Sequence, residues 1–164
     1  MFRRFLPWIL VYLAVMLDIS VIPFLTSSEY IPLFSLVTVI ALGLLLGRRR
    51  GALLGLMAGL MIDVLVNDPY GLMTILVTLS GFTAGFIGRK FMNHMWTTVV
   101  TALGIFFVVE LVMMGYLAMY ASSFSAALLA PAGIRVVIQT VLVQVFYLIF
   151  NAWLQPKVSR YSVR

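Results

Sequence analysis

Residues 51–71 read GALLGLMAGLMIDVLVNDPYG, and this stretch decides the fold. From Gly51 to Val66 the run is apolar except at Asp63. Gly51, Gly55 and Gly59 recur every fourth residue, and Asp63 continues the interval. Four-residue spacing sets small residues along one stripe of a helix, which lets a second backbone approach closely in lipid. Asn67-Asp68-Pro69-Tyr70-Gly71 then gathers the residue types that make turns. The stretch reads as an apolar helix ending in a tight reversal. Its stripe serves either packing inside a compact bundle or docking of another protein's helix. The stripe drifts around the helix, so Gly51 and Asp63 need not meet the same neighbour.

The same texture extends outward in both directions. Of 164 residues, 63% are hydrophobic and 10% charged, and the mean hydropathy is +1.13. A soluble domain carries about 25% charged residues to cover its core. Here lipid must be the solvent for most of the chain. Apolar segments fall at about 5–25, 32–47, 51–66, 72–88, 96–120 and 132–154, against the ~20 residues a helix needs to cross a bilayer. The expectation is one all-α integral membrane domain over residues 1–164, a compact bundle of six transmembrane helices. Span one ends in Thr26-Ser27-Ser28-Glu29, and Pro32 suits the first turn of span two. Arg48, Arg49 and Arg50 separate spans two and three, and Arg89-Lys90 closes span four. Spans two and three cover only about 24 Å each. Either flanking residues complete them or the bilayer thins; a rival reading fuses them into a re-entrant hairpin. The run from Phe5 to Leu25 exceeds a signal-peptide core and lacks a small-x-small site after it, so it reads as a retained span. Gly43 with Gly47, and Gly81 with Gly85, repeat the four-residue spacing.

The net charge of +6 is distributed as a topology signal rather than a nucleic-acid surface. Six spans starting in the cytoplasm put Arg3, Arg4, Arg48, Arg49, Arg50, Arg89, Lys90, Lys157, Arg160 and Arg164 inside. Only Arg135, of eleven basic residues, lies near the other side, where Glu29 and Asp68 fall. Trp8, Trp96 and Trp153 sit at inner span ends and Tyr30, Tyr70 and Tyr120 at outer ones, as interfacial aromatics do. The basic inner surface is a topology signal, and it also suits anionic lipid or a cytoskeletal partner.

Three carboxylates, Asp18, Asp63 and Glu110, lie inside apolar spans. Inserting each ionised costs about 2.5–3.5 kcal/mol. Counted from the inner ends, all three reach a depth of about 18–21 Å. Arg135 is placed in the first turn of span six, with Gln139 one turn deeper on the same face, so the spacing permits a polar layer. These groups either satisfy one another or cap neighbouring backbone, or they line a partner or ligand pocket, or they relay protons. Buried carboxylates alone specify no reaction. His94 reads as a solvated loop residue. No phosphate-binding glycine loop, Ser-His-Asp set, metal-ligand cluster or cysteine is present, so no enzyme, metal or cofactor is expected.

Gly51, Gly55, Gly59 and Asp63, then the turn with Asp68 and Pro69, and Gly71 opening the next helix, resemble the central motif of the bacterial rod shape-determining protein MreD. Pro32, the basic break at Arg48–Arg50 and Gly81-x-x-x-Gly85 also fit that family, whereas Asp18 stands where polar amides are usual. The resemblance implies a multi-pass protein of the bacterial inner (cytoplasmic) membrane and of the cell-elongation machinery. It implies binding to MreC, a single-span protein, and a link from the actin-like MreB to the glycosyltransferase and transpeptidase of peptidoglycan synthesis. It also implies a six-helix fold like that of the substrate-binding subunits of energy-coupling-factor transporters. A small-molecule-binding transporter subunit is the competing function. Such subunits carry an Ala-rich motif in span one, where this chain has only Ala14.

Overall fold

The computed structural model describes residues 2–21, 33–66, 71–91, 95–120 and 129–154. Six α-helices and no strand occur among them. They are α1 (Phe2–Met16, continued by a π-helical turn, Leu17–Val21), α2 (Phe34–Leu46), α3 (Arg48–Val66), α4 (Leu72–Phe91), α5 (Met95–Tyr120) and α6 (Leu129–Leu154). The end of span one beyond Val21, Pro32, Asp68 and Pro69, His94, and the basic tail with Lys157, Arg160 and Arg164 lie outside the described residues.

The helix α2 is the axis of the fold. It is apolar on every side, and each residue from Ser35 to Leu44 is buried. It packs against α1, α3, α4 and α6, which is what an all-apolar helix requires. Its 13 residues span only about 20 Å.

Between α2 and α3 the chain turns on one residue. Gly47 takes φ +86°, a conformation that a side chain would oppose. Its N–H donates to Gly43 O at 2.9 Å, and Gly51 N–H donates to Gly47 O at 2.9 Å. The three arginines stand between the two apolar runs, on the α3 side of that turn. They are the exposed first turn of α3.

The glycine stripe of α3 lies against α4, and the two run antiparallel. A Cβ on Gly51 would press on Gly81 O. One on Gly55 would come 2.5 Å from Val77 O, and one on Gly59 would meet Thr74 Cα, with Met73 O at 2.9 Å. One turn along α3 is thus one turn back along α4. Asp63 continues the ladder by contacting Thr74. Gly51 and Asp63, which the drift of the stripe left free to meet different neighbours, meet the same helix. The parallel pair α2–α4 is as close, since a Cβ on Gly43 would fall 2.9 Å from Gly81 O, on Gly85 2.5 Å from Gly47 C, and on Gly88 2.6 Å from Leu44 O. Three backbones meet here with almost no side chain between them.

The long helices α5 and α6 are attached at the periphery, α5 to α4 and α6 to α2 and to each other. Residues Trp96–Tyr116 and Ala132–Trp153 are long and apolar enough to cross a membrane. Shorter apolar helical stretches are Phe5–Ser20, Phe34–Leu46 and Leu72–Gly88. Outward-facing residues such as Val100, Phe107, Val137 and Val141 are more than half exposed. Apolar faces of that extent mark contact with lipid or with another protein.

Candidate functional site

Asp18 stands in the π-helical turn that ends α1. Its carboxylate accepts from Phe34 N–H at 2.8 Å and from Ser35 N–H at 2.7 Å. These amides belong to the first turn of α2, whose own N-cap residue, Leu33, offers no side-chain acceptor. A helix start carries unsatisfied N–H groups and a partial positive charge. Leu33 supplies no side-chain cap, and the acid arrives from the preceding helix. Asp18→Ala should cost about 0.5–2 kcal/mol, as loss of a cap does. Asp18→Asn should retain most of the stability. Thermal unfolding in detergent checks this, and equal losses in the two variants would contradict it.

Asp63 repeats the arrangement one hairpin later. Its Oδ2 accepts from Thr74 N–H at 2.9 Å and from the Thr74 hydroxyl. Thr74 is in the first turn of α4, and the residue preceding that helix is Gly71, at φ +63°, with no side chain to cap it. Asp63 is 9% exposed, and its second oxygen, Oδ1, makes no hydrogen bond. Asp18 and Asp63 therefore each engage backbone amides of the next helix. Both caps lie at the end of the bundle away from Arg48–Arg50.

Glu110 and Arg135 form a separate unit joining α5 to α6. Arg135 Nε lies 3.1 Å from Glu110 Oε1, in an ion pair that falls short of an aligned hydrogen bond. Arg135 is in the second turn of α6, since that helix begins at Leu129 and not near Ala132. Gln139, one turn further along, is buried at 2% exposure. The structure thus joins Glu110 to Arg135, while Asp18 and Asp63 are held by amides. The depth count that grouped all three acids could not see this division. Among the described residues no group of three or more His, Cys, Asp or Glu is placed to hold a metal ion.

A cavity of about 830 Å³ lies between α4 and α5, with Leu79, Thr83 and Ile87 on one wall and Val100, Gly104 and Val108 on the other. Two of its hydroxyl residues bond back to their own helix. Ser80 Oγ donates to Leu76 O at 2.7 Å and Thr83 Oγ1 to Leu79 O at 2.8 Å. The walls present hydrocarbon. The lone Gly104, without a partner glycine four residues away, was the available signal.

A family model described as rod shape-determining protein MreD matches residues 1–157. The chain belongs to the MreD family. Comparison with curated proteins and with solved structures gave no match. In this MreD-family chain residues 51–66 of the glycine–aspartate stretch lie in α3, which meets α4 by backbone contact and by the Asp63–Thr74 cap. The two membrane-crossing candidates, α5 and α6, suit a membrane-associated shape protein.

Proposed function

We propose that this chain is a non-enzymatic scaffold of rod-shape maintenance in the bacterial cytoplasmic membrane. In this reading all six helices cross the bilayer, both ends of the domain face the cytoplasm, and the chain binds the single-span protein MreC. Through MreC it links MreB to the glycosyltransferase and transpeptidase that build peptidoglycan. The family match over residues 1–157 carries the proposal. The engagement of its membrane carboxylates supports it, since Asp18 and Asp63 are held by amides and Glu110 by Arg135. A small-molecule-binding transporter subunit would need such groups turned into a cavity. The large cavity between α4 and α5 is apolar instead.

Copurification tests the function. Coexpressed in mild detergent, the chain and full-length MreC should elute together in a fixed ratio. A bound small molecule in place of MreC would overturn the scaffold in favour of the transporter subunit. Topology is tested separately, and the absence of cysteine gives a clean background. Ser28→Cys and Ser123→Cys should react with an impermeant thiol reagent added outside spheroplasts, and His94→Cys should not. Outside labelling of His94→Cys would refute the six-span arrangement.

A further inference from the structure

We propose that the outward face of α3 holds an anionic phospholipid of the inner leaflet, its phosphate between Arg49 and Arg50 and an acyl chain along the apolar stripe that follows them. The inference rests on α3 crossing the bilayer with Arg48–Arg50 at the cytoplasmic interface, and not on the binding of MreC. Successive residues of a helix lie about 100° apart. One face of α3, with Gly51, Gly55, Ala58 and Gly59, is buried, its glycines against α4. The opposite face carries Leu53, Leu56, Met57, Leu60 and Val64, all exposed. Arg49 falls about 40° to one side of Leu53 and Arg50 about 60° to the other, each about one turn nearer the helix start. Both are exposed. Helical side chains lean toward the N-terminus, so the two guanidiniums extend from the head of the stripe toward the lipid headgroups. From Leu53 to Val64 the stripe runs about 16 Å, the depth of one leaflet of a ~30 Å hydrocarbon core.

No carboxylate among the described residues neutralises Arg49 or Arg50. Asp18 and Asp63 cap helices at the far end of the bundle, and Glu110 is held by Arg135. The two guanidiniums are thus free to meet an anion from outside the chain, and the stripe that follows them selects its kind. A cytoplasmic acidic protein or free phosphate would meet the guanidiniums alone. A phospholipid meets both, its phosphate accepting from the planar guanidiniums and its hydrocarbon lying on the leucines. Arg48 is the internal comparison. It falls about 140° from Leu53, on the side where α4 approaches, since a Cβ on Gly85 of α4 would fall 2.6 Å from Arg48 N. An anion drawn only by the summed charge of the inner surface would use all three arginines alike. One seated over the stripe uses Arg49 and Arg50.

The full chain, purified in detergent, is titrated with dioleoyl phosphatidylglycerol and dioleoyl phosphatidylcholine, and retained lipid is read by native mass spectrometry. Phosphatidylglycerol should be retained in preference. Arg49→Gln and Arg50→Gln should each weaken its retention by about fivefold, and Arg48→Gln by less than about twofold. Retention of phosphatidylcholine and the thermal midpoint without added lipid should hold in all three variants. Glycerol phosphate, which has the anion without the chains, should not displace the lipid at equal concentration. Equal retention of the two lipids, or equal losses in the three variants, would overturn the proposal. So would displacement by glycerol phosphate, which would assign the arginines to a soluble anion. Loss of MreC copurification in the Arg49→Gln, Arg50→Gln double variant with lipid preference intact would overturn it too, assigning the patch to a protein. The topology on which the inference rests is read separately, by the thiol labelling of spheroplasts.

Discussion

Gly59→Leu should destabilise the bundle by about 3 kcal/mol or more, the top of the usual cost of overpacking. The reason is what the new side chain meets. Its Cβ alone would press on Thr74 Cα, with Met73 O at 2.9 Å, and a leucine adds three further carbons. Neighbouring side chains cannot rotate away, because the contact is with main chain. Separating α3 from α4 would also break the Asp63–Thr74 cap. The controls lie in the same chain. Nothing stands within 4 Å of a Cβ on Gly115 or Gly133, so leucine at either should change stability by less than about 0.5 kcal/mol. Thermal midpoints in one detergent compare the three variants. A Gly59→Leu protein as stable as Gly133→Leu would show that the stripe faces lipid.

The second large effect is expected at Arg135. Its removal leaves Glu110, whose side chain is 13% exposed, as a partly buried anion without this partner. Breaking a fully buried pair in this way costs about 3–5 kcal/mol, much of it the desolvation of the remaining charge, and this partly buried pair should approach the lower end. Arg135→Ala should therefore be worse than Arg135→Ala with Glu110→Gln, and the double-mutant cycle should show coupling of about 1–3 kcal/mol. Additive losses would mean that the two residues do not interact. Run with and without MreC, the cycle also locates the pair. Equal coupling in both cases marks internal bracing between α5 and α6, and coupling only in the complex marks an interface.

The glycine spacing made the close approach of helices legible, because period alone puts Gly51, Gly55 and Gly59 on one stripe. It did not reveal that one helix follows the stripe throughout. On a straight helix each four-residue step rotates by about 40°, which left open whether Gly51 and Asp63 share a neighbour. The contacts from Gly51 through Asp63 nevertheless all fall on α4. The caps were legible only as one possibility among several. Depth along the membrane normal grouped Asp18, Asp63 and Glu110, but depth carries no information about direction around a helix. A better signal was present in the helix starts, since neither Leu33 nor Gly71 has a side-chain acceptor and each follows an acid near the end of the preceding helix. The turn between α2 and α3 stands just ahead of the charge that marked it, for a simple reason. Charge marks where a chain meets water, whereas a turn is made by backbone conformation, and Gly47 alone supplies it.

The meeting of α2, α3 and α4 through their backbones also bears on how damage there can be repaired. When an ordinary core residue is enlarged, a neighbour can be made smaller, and a second substitution restores the volume. At Gly51, Gly55 and Gly85 the nearest opposing atoms all belong to the backbone, as carbonyl groups, an amide nitrogen and Cα atoms, which no substitution can trim. A suppressor screen on Gly55→Leu should return reversion to a small residue at position 55 and no compensating change at Val77 or Thr78. Tolerance in this hairpin is therefore decided one position at a time, whereas the side-chain contacts joining α5 to α6 leave room for paired change.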